Sequence, residues 1–372
     1  MLKIFRDAPP LQNVVAGQNA TCNFDVGWRY HCIRIIATVS TTNAGAAVEP
    51  TLDQAIGQIV LNVNKDPKRT HQLASHLNSI QKAWSADLAA TLYSKTANDL
   101  KTAVADVAGG GNVTRTSTWV LDVWLSEPSR STYTARQAFA WPTAWNNAAI
   151  GNYPANYTAN IQAVITVPAA NAGGGTLTNP AMRCEMMVDT QLGPLLGAAG
   201  STTRGTIGAD KLAQAGIPAP ASGPGTPIMP ISHWYSFAQT YGGTAIQIRG
   251  NAFPFNSGSL QQLSTFCQAG DDITNVAVLL DTAIRINTTK ASINQINEAW
   301  GWNANYGAGT AGIDYVFADV LHMAFDFDDD PSSAVSTATF NTLEVDYTLN
   351  QAVAANKTLI LAAQFYRNAL LL

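Results

Sequence analysis

Charged side chains are scarce in this sequence: Asp, Glu, Lys and Arg together make up 12% of the 372 residues, about half of the ~25% usual in globular proteins. The formal net charge is −4, from 21 basic and 25 acidic residues. Binding nucleic acid through bulk charge requires a basic face, so this balance argues against specific nucleic-acid binding. Neutral amides and hydroxyls lose less on burial than ions do, and a surface built from them favours contact with copies of the same chain.

Long apolar runs and cysteine motifs are also missing. No run reaches the ~18 apolar residues that indicate a membrane-spanning helix, and the segment Met1–Asp7 lacks the apolar core of a secretory signal. No C-x-x-C motif occurs. The cysteines are Cys22, Cys32, Cys184 and Cys267. We expect them to be buried, reduced thiols in a protein that folds in the cytoplasm.

Motifs of catalysis and cofactor binding are absent from the sequence as well. The five histidines form no H-E-x-x-H pattern, no G-x-S-x-G occurs, and the glycine runs lack the Lys-Ser/Thr of a phosphate-binding loop. We therefore predict that the chain is not an enzyme and holds no cofactor.

One acidic run is the single candidate metal feature of the sequence. Its carboxylates are Asp326, Asp328, Asp329 and Asp330. Oxygen ligands of this kind suit Ca²⁺, but the run lacks the glycine and the distal glutamate of an EF-hand loop. A calcium site and a solvated turn both remain open, and the pattern favours the turn.

Most of the chain predicts short β-strands separated by Gly, Pro, Asn and Ser. The predicted strands are 21–26, 30–39, 58–64, 118–125, 160–167, 182–189, 245–249, 273–280, 320–327, 342–349 and 359–366. Helical stripes of apolar residues interrupt them at Leu73–Trp84 and Ile293–Trp300. Many short strands with such punctuation favour an all-β sandwich or jelly roll over βαβ units.

A Gly- and Pro-rich stretch at 192–230 predicts a linker between two domains, because Pro removes backbone donors and Gly adds chain entropy. The N-terminal domain then covers 1–191, beginning with an arm of about 17 residues, and the C-terminal domain covers 231–372. Two domains also suit the length, at about 150 residues each.

A repeat crosses this linker. The strand that starts at Ile56 matches the strand that starts at Ile273, 217 residues later, and the helices end at Trp84 and Trp300, 216 residues apart. Each helix then leads to an aromatic strand that ends in acid–Pro–Ser. One all-β unit used twice explains these matches; two unrelated sandwiches with a chance helix match remain the alternative. The predicted core anchors, which pack each helix on its sandwich, are Trp84, Ile80, Trp300 and Ile296.

The repeat resembles a known family. The residues that carry the resemblance are Gly27–Ile35, Ile56–Asn64 with the Arg69 turn and the helix that follows, and the closing segments Thr342–Leu349 and Thr358–Ala363. Together they are similar to the double jelly-roll major capsid proteins of tailless icosahedral viruses, among them membrane-containing bacteriophages and adenovirus-like viruses. The pattern covers most of the chain.

This resemblance implies two tandem eight-stranded jelly rolls, each with a helix in the loop after its fourth strand. It further implies a homotrimer of pseudo-hexagonal outline that tiles a virion shell, in a bacteriophage. The partners would be further copies of the chain, neighbouring capsomers, minor capsid or vertex proteins and an internal membrane. Insertions at 85–116, 128–158 and 301–313 would supply contact surfaces or ordinary loops.

Two other function classes stay open. A lectin-like sandwich would bind carbohydrate on an aromatic platform, for which the candidates are Trp141, Trp145, Tyr153 and Tyr157. A jelly-roll enzyme is the other class, against which the sparse histidines and the lack of a paired acid/base motif both argue.

Overall fold

A computed structural model of the chain describes residues 4–24, 29–44, 49–63, 65–84, 102–109, 111–126, 141–142, 161–169, 176–189, 230–248, 259–267, 273–299, 320–325, 335–336 and 340–368. The chain forms two compact units. The first comprises Met1–Asn78, Lys95–Met229 and Leu372, and the second comprises Ser79–Ser94 and Pro230–Leu371.

The first unit is built almost entirely from strands. Its described strands are β1 (Ile4–Asp7), β2 (Asn19–Asn23), β3 (Arg29–Ala44), β4 (Ile59–Val63), β5 (Asp66–His71), β6 (Thr102–Gly109), β7 (Asn112–Trp124), β8 (Trp141–Pro142), β9 (Ile161–Thr166) and β10 (Thr176–Asp189). A short helix α1 (Leu52–Ala55) precedes β4, and the helix α2 (Ala74–Trp84) follows β5. Helix α2 begins in this unit, and its residues from Ser79 onward belong to the second unit.

Two antiparallel sheets make up this unit. One has the order β1-β10-β3-β7, with β6 beside β7, and the other has the order β2-β9-β4-β5. Lettered B to I along the chain, these eight strands give the orders B-I-D-G and C-H-E-F. That is the connectivity of a jelly roll. We call the two layers the B-I-D-G sheet and the C-H-E-F sheet.

The second unit repeats this connectivity with two long strands that each serve both sheets. Its strands are β11 (Pro230–Ile248), β12 (Ser259–Cys267), β13 (Ile273–Leu280), β14 (Ala283–Thr289), β15 (Val320–Ala324), β16 (Val335–Ser336) and β17 (Leu343–Asn368). The first part of β11 pairs with the last part of β17, which pairs with β12, which pairs with β15. The rest of β11 pairs with the first part of β17, which pairs with β13, which pairs with β14. These orders are again B-I-D-G and C-H-E-F.

In both units the helix follows strand F, the fifth strand. Helix α2 comes after β5 and helix α3 (Lys290–Ala299) comes after β14. The expected position after the fourth strand is therefore wrong. Strand F is short in both units. It reads Asp-Pro-Lys-Arg-Thr-His in the first unit and is largely exposed in the second, so the sequence pattern did not predict it.

The prediction that about the first 17 residues form an N-terminal arm is also wrong. Residues Ile4–Asp7 pair with Glu185–Val188 and form strand B of the first jelly roll. Ala8 then donates its backbone N–H to the Cys184 carbonyl at 3.0 Å, and Gln12 bridges to Thr21. The second unit resumes at Pro230, and most of the predicted linker, residues 192–229, lies outside the described residues.

A β-bulge marks the same point of strand D in each unit. In the first, Met187 faces Cys32 and Val188 faces Tyr30, so His31 is the extra residue. In the second, Gln364 faces Gln262 and Phe365 faces Leu260, so Gln261 is the extra residue. The carbonyl of each extra residue accepts a backbone N–H, from Leu125 at 2.9 Å and from Phe325 at 2.8 Å. Because bulges fix register and twist, this shared detail aligns the two units residue by residue.

Each core lies between the two sheets of its unit. In strand H of the first unit, Ile161, Ala163 and Ile165 are fully buried and alternate with half-buried residues, as period-two side chains must on a sheet with one face inside. In strand H of the second unit, Val345 and Tyr347 alternate in the same way. Each large apolar side chain buried here stabilises its unit by about 1.5–3 kcal/mol.

Candidate assembly surface

The outer face of the first B-I-D-G sheet carries an exposed aromatic ring among paired ions. Phe5, in strand B, is 54% exposed. The guanidinium of Arg34, in strand D, lies 5.4 Å from the centre of this ring. Arg34 in turn donates from Nε to Asp122 Oδ1 at 2.7 Å and from Nη2 to Asp122 Oδ2 at 3.0 Å. These hydrogen bonds to Asp122 raise the pKa of Arg34 above its already high value, so the guanidinium carries its positive charge at every physiological pH.

A second charged group lies on the same sheet. Arg183, in strand I, donates to Glu185 at 2.6 Å and to Asp7 at 3.3 Å. Its side chain is largely exposed, so this pair contributes little to stability by itself. In these ion pairs Arg34 is paired with Asp122, and Arg183 is paired with Glu185. We call Phe5, Arg34, Asp122, Arg183 and Glu185 the Phe5 face.

Beside the Phe5 face, strands D and G carry a ladder of hydroxyl groups. Three cross-strand pairs lie within hydrogen-bond distance of each other: Thr38–Thr118 at 2.8 Å, Ser40–Thr116 at 2.7 Å and Thr42–Thr114 at 2.8 Å. Such pairs stabilise an antiparallel ladder and keep its register. They also make this part of the sheet polar without adding ions.

In the second unit the same sheet face is buried. Trp234, in strand B, is 0% exposed. A chain of amides and a hydroxyl lies beside it, in which Gln262 donates to Gln364, and Gln364 donates to Ser232 at 2.5 Å. All three of these polar side chains are fully buried. Buried polar groups require partners, and these two hydrogen bonds supply them for the amide groups of Gln364 and for the Ser232 hydroxyl.

Phe5 and Trp234 occupy equivalent positions in the two units. The residue of strand I that faces strand D just past the bulge is Met187 in the first unit and Gln364 in the second. Across strand I, Met187 pairs with Phe5 and Gln364 pairs with Trp234. The same sheet position therefore carries an exposed ring in one jelly roll and a buried ring in the other.

The helices that follow strand F also correspond. In α2 the buried stripe includes Ala74, Leu77 and Gln81, and in α3 it is Lys290, Ile293 and Asn297, which are the same positions when the helices are aligned as in the sequence repeat. Asn297 donates its side-chain amide to the His322 carbonyl at 2.8 Å, and this hydrogen bond ties α3 to strand G.

The predicted anchors Ile80 and Ile296, equivalent by this alignment, differ. Ile80 is fully buried in one cluster with Trp234 and Ala362, all three in the second unit, so the predicted packing of α2 on the first sandwich is wrong at this residue. Ile296 is 43% exposed, so it is not a core anchor, because the buried stripe of α3 runs through Ile293 and Asn297 instead. The side chain of Trp84 and the whole of Trp300 lie outside the described residues.

The acidic run Asp326–Asp330 lies outside the described residues, as do Trp145, Tyr153, Tyr157 and the side chain of Trp141. Within the part of the chain that the structure describes, no three His, Cys, Asp or Glu side chains form a group that could hold a metal ion. No helix among the described residues is long and apolar enough to cross a membrane.

All five histidines are buried: His31, His71, His76, His233 and His322. Burial lowers the pKa of His322 to about 3, and burial together with the neighbouring charges of Arg69 and His76 lowers that of His71. Both side chains are therefore neutral at pH 7.

The four cysteines are free and buried, as predicted. Burial raises the pKa of the Cys32 and Cys184 thiols, so the thiolate, which is the reactive form, is suppressed at both.

Three solved structures are similar to this chain over nearly its whole length. The major capsid protein P2 of bacteriophage PM2 is 12% identical, with a TM-score of 0.53 and 99% of each chain covered. The major capsid protein of STIV, the Sulfolobus Turreted Icosahedral Virus, is 11% identical, with a TM-score of 0.57, 98% of this chain and 96% of that chain covered. The fold is a double jelly roll.

The capsid protein of the PBCV-1 virus has this double jelly roll as well, at 11% identity and a TM-score of 0.57, with 98% of this chain and 93% of that chain covered. No protein-family model and no curated protein sequence matches the chain. At such low identity the similarity lies in the fold.

The sequence patterns predicted the fold but did not predict the Phe5 face. Arg34 and Asp122 stand at outward positions of strands whose inward positions are apolar, Ile33 and Ile35 in strand D and Leu121 and Val123 in strand G. That alternation, with opposite charges on two predicted strands, was the available signal for an ionic outer face.

Proposed function

We propose that this protein is the major capsid subunit of a tailless icosahedral virus and that it assembles as a pseudo-hexagonal homotrimer. The observation that carries the proposal is the repetition of one eight-strand connectivity within one chain. Three such chains present six similar units, so a single kind of subunit can pack with near-sixfold symmetry. The similarity to three capsid proteins over their full lengths supports the same role.

The role is structural in this proposal, and no reaction is assigned to the chain. Its partners are further copies of itself within a trimer, neighbouring trimers in the shell, minor capsid or vertex proteins, and an internal membrane beneath the shell. The protein folds in the host cytoplasm and functions in the virion. The low content of charge favours such packing, since few ions must be desolvated when surfaces meet.

The test is the mass and outline of the purified protein. Light scattering coupled to size-exclusion chromatography should give about three times the mass of one chain, 39.4 kDa. Negative-stain images should show a particle with three-fold symmetry and six corners. A single-chain mass at every concentration up to the solubility limit would contradict the homotrimer.

A glycan-binding screen on the same sample separates this proposal from the lectin alternative. Specific binding of an oligosaccharide by a monomer would favour the lectin. A trimer that binds no glycan would favour the capsid subunit.

A further inference from the structure

A helix residue covers a sheet residue at one place in this chain, whereas the equivalent helix residue and the equivalent sheet residue are both exposed. Ile80 of α2 packs with Trp234, and both side chains are 0% exposed. The equivalent helix residue, Ile296, is 43% exposed, and the equivalent sheet residue, Phe5, is 54% exposed. The chain thus displays an uncovered helix position and an uncovered sheet position of the kind that cover each other at Ile80 and Trp234.

We propose that Ile296 of one copy of this chain packs on the Phe5 face of a second copy, and so repeats between chains the contact that Ile80 makes with Trp234. The inference deepens the homotrimer proposed above and rests on it. The contact joins two different patches, so it is heterologous, and heterologous contacts close into a ring where the rotation permits. Each chain would then give one helix and accept one.

The chemistry of the two patches suits such a contact. The exposed residues of α3 around Ile296 include Ala291 and Gln295, and none of these three is charged. On the Phe5 face, Arg34 is already paired with Asp122. Among the residues of these two patches that the structure describes, covering the patch therefore desolvates no unpaired ion, which is the costly event in forming an interface.

Two other large apolar side chains, Ile284 and Val15, are also exposed among the described residues, at 61% and 56%. Exposure alone does not single out Ile296. What does is its equivalence to Ile80, whose covering partner Trp234 is in turn equivalent to Phe5. Ile284, in strand F of the second unit, is therefore a matched control of the same residue type.

Cross-linking between single-cysteine variants of the full chain tests the contact directly. Phe5→Cys and Ile296→Cys chains are co-expressed so that mixed assemblies form, and the purified protein is treated with a short bismaleimide. We expect a product of twice the chain mass on denaturing gels that requires both variants. The native cysteines are buried and set the background, which the wild-type protein measures. Phe5→Cys co-expressed with Ile284→Cys is the control and should give only this background.

Charge placed at the contact gives an independent readout. Ile296→Asp should weaken association by about 30-fold or more, as truncation or repulsion at the centre of an interface does, and it should leave the thermal melt of the separated chain unchanged. Ile284→Asp should associate like the wild-type protein. If Ile296→Asp fails to fold, the cross-linking result alone decides.

The outcomes separate this inference from the proposed function. A wild-type trimer in which Phe5→Cys and Ile296→Cys give no product above background overturns the contact and leaves the capsid role intact. Equal cross-linking by Ile284→Cys also overturns it. A wild-type protein that stays a single chain overturns the homotrimer itself. A trimer with the specific cross-link supports both.

Discussion

Asp53 accepts two hydrogen bonds from Ser75, one from the backbone N–H to Oδ1 at 2.8 Å and one from the hydroxyl to Oδ2 at 2.5 Å. Ser75 lies in the first turn of α2, where backbone N–H groups have no partner within the helix. A residue of α1 therefore caps the helix that follows strand F. Burial raises the pKa of the Asp53 carboxyl, and the hydrogen bonds from Ser75 and from the Ala74 N–H oppose this shift.

The first prediction concerns this cap. Asp53→Ala should lower the free energy of unfolding by about 1–2 kcal/mol, because N–H groups of the first turn lose their acceptor. Asp53→Asn should lower the free energy of unfolding much less, because the amide oxygen still accepts a hydrogen bond from Ser75 and no negative charge is buried. Urea denaturation at pH 7 measures both. Equal losses in the two variants would show that charge, not the acceptor, is what matters.

The second prediction concerns the buried Arg69. It donates from Nη1 to the Trp124 carbonyl at 2.5 Å and from Nη2 to the Leu125 carbonyl at 3.4 Å, and it is 1% exposed. Arg69→Met should lower the free energy of unfolding by about 2–4 kcal/mol, because it leaves carbonyls at the end of strand G short of a donor.

Arg69→Lys is the matched variant for this site. It keeps the positive charge but replaces the planar fork with a single ammonium group, so its loss of stability should lie between those of the wild-type protein and Arg69→Met. Denaturation of the Met variant at the wild-type urea concentration would contradict a structural role for Arg69.

The third prediction is a loss of stability in acid. Folding lowers the pKa of His322 from 6.5 to about 3, so the unfolded chain binds the proton more tightly. The free energy of unfolding that this pKa difference contributes is complete above pH 6.5 and falls as the pH drops toward 3. Between pH 6.5 and pH 5 the loss is about 2 kcal/mol. His71, whose pKa burial also lowers, should add to this in the same direction.

His322→Gln is the control for the acid effect. Its free energy of unfolding, plotted against pH between 5 and 7, should slope less steeply than that of the wild-type protein by about one proton. The measurement is a series of urea titrations at fixed pH. Identical slopes would mean that His322 is already accessible to protons in the folded chain.

The fourth prediction tests the sequence repeat at its tryptophans. Trp84→Ala and Trp300→Ala should each lower the free energy of unfolding by about 3–5 kcal/mol if the rings pack their helices on the sandwiches. Thermal melts of the two variants are the measurement. A variant that melts like the wild-type protein would remove that tryptophan from the core.

The repeat was predictable where its strands are apolar on alternate residues. The predicted strand 273–280 coincides with β13, and its partner in the first unit, predicted at 58–64, is β4 at Ile59–Val63. The turns after these strands share a left-handed residue, Lys65 with φ 71° and Thr282 with φ 68°. In this stretch the local pattern and the final fold agree.

Strand β12 escaped prediction because of its bulge. Leu260 and Leu263 both lie in the core, three residues apart, where strict alternation would have placed them on opposite faces. The extra residue Gln261 restores them to one side. A period-two search has no means of inserting such a residue, so a strand with a bulge at its start looks irregular.

Strand β1 escaped for a different reason. It is four residues long, and its large apolar residue, Phe5, faces outward rather than into the core. A sequence pattern identifies an amphipathic segment, but it does not show against which face of the segment another strand or helix packs. The same limit explains Ile296, which the apolar helical stripe and the repeat together predicted to lie in the core.

The pairing of Arg34 with Asp122 has a consequence for the newly made chain. In the proposed assembly, a patch that a second copy covers is first exposed to water, where an apolar surface without charges promotes aggregation. The ion pair of Arg34 and Asp122 beside the Phe5 ring keeps this patch hydrated. Because the two charges are already paired, covering the patch does not leave either of them without a partner. In the proposed assembly, a newly synthesised chain can thus stay dispersed in water until a second copy covers Phe5.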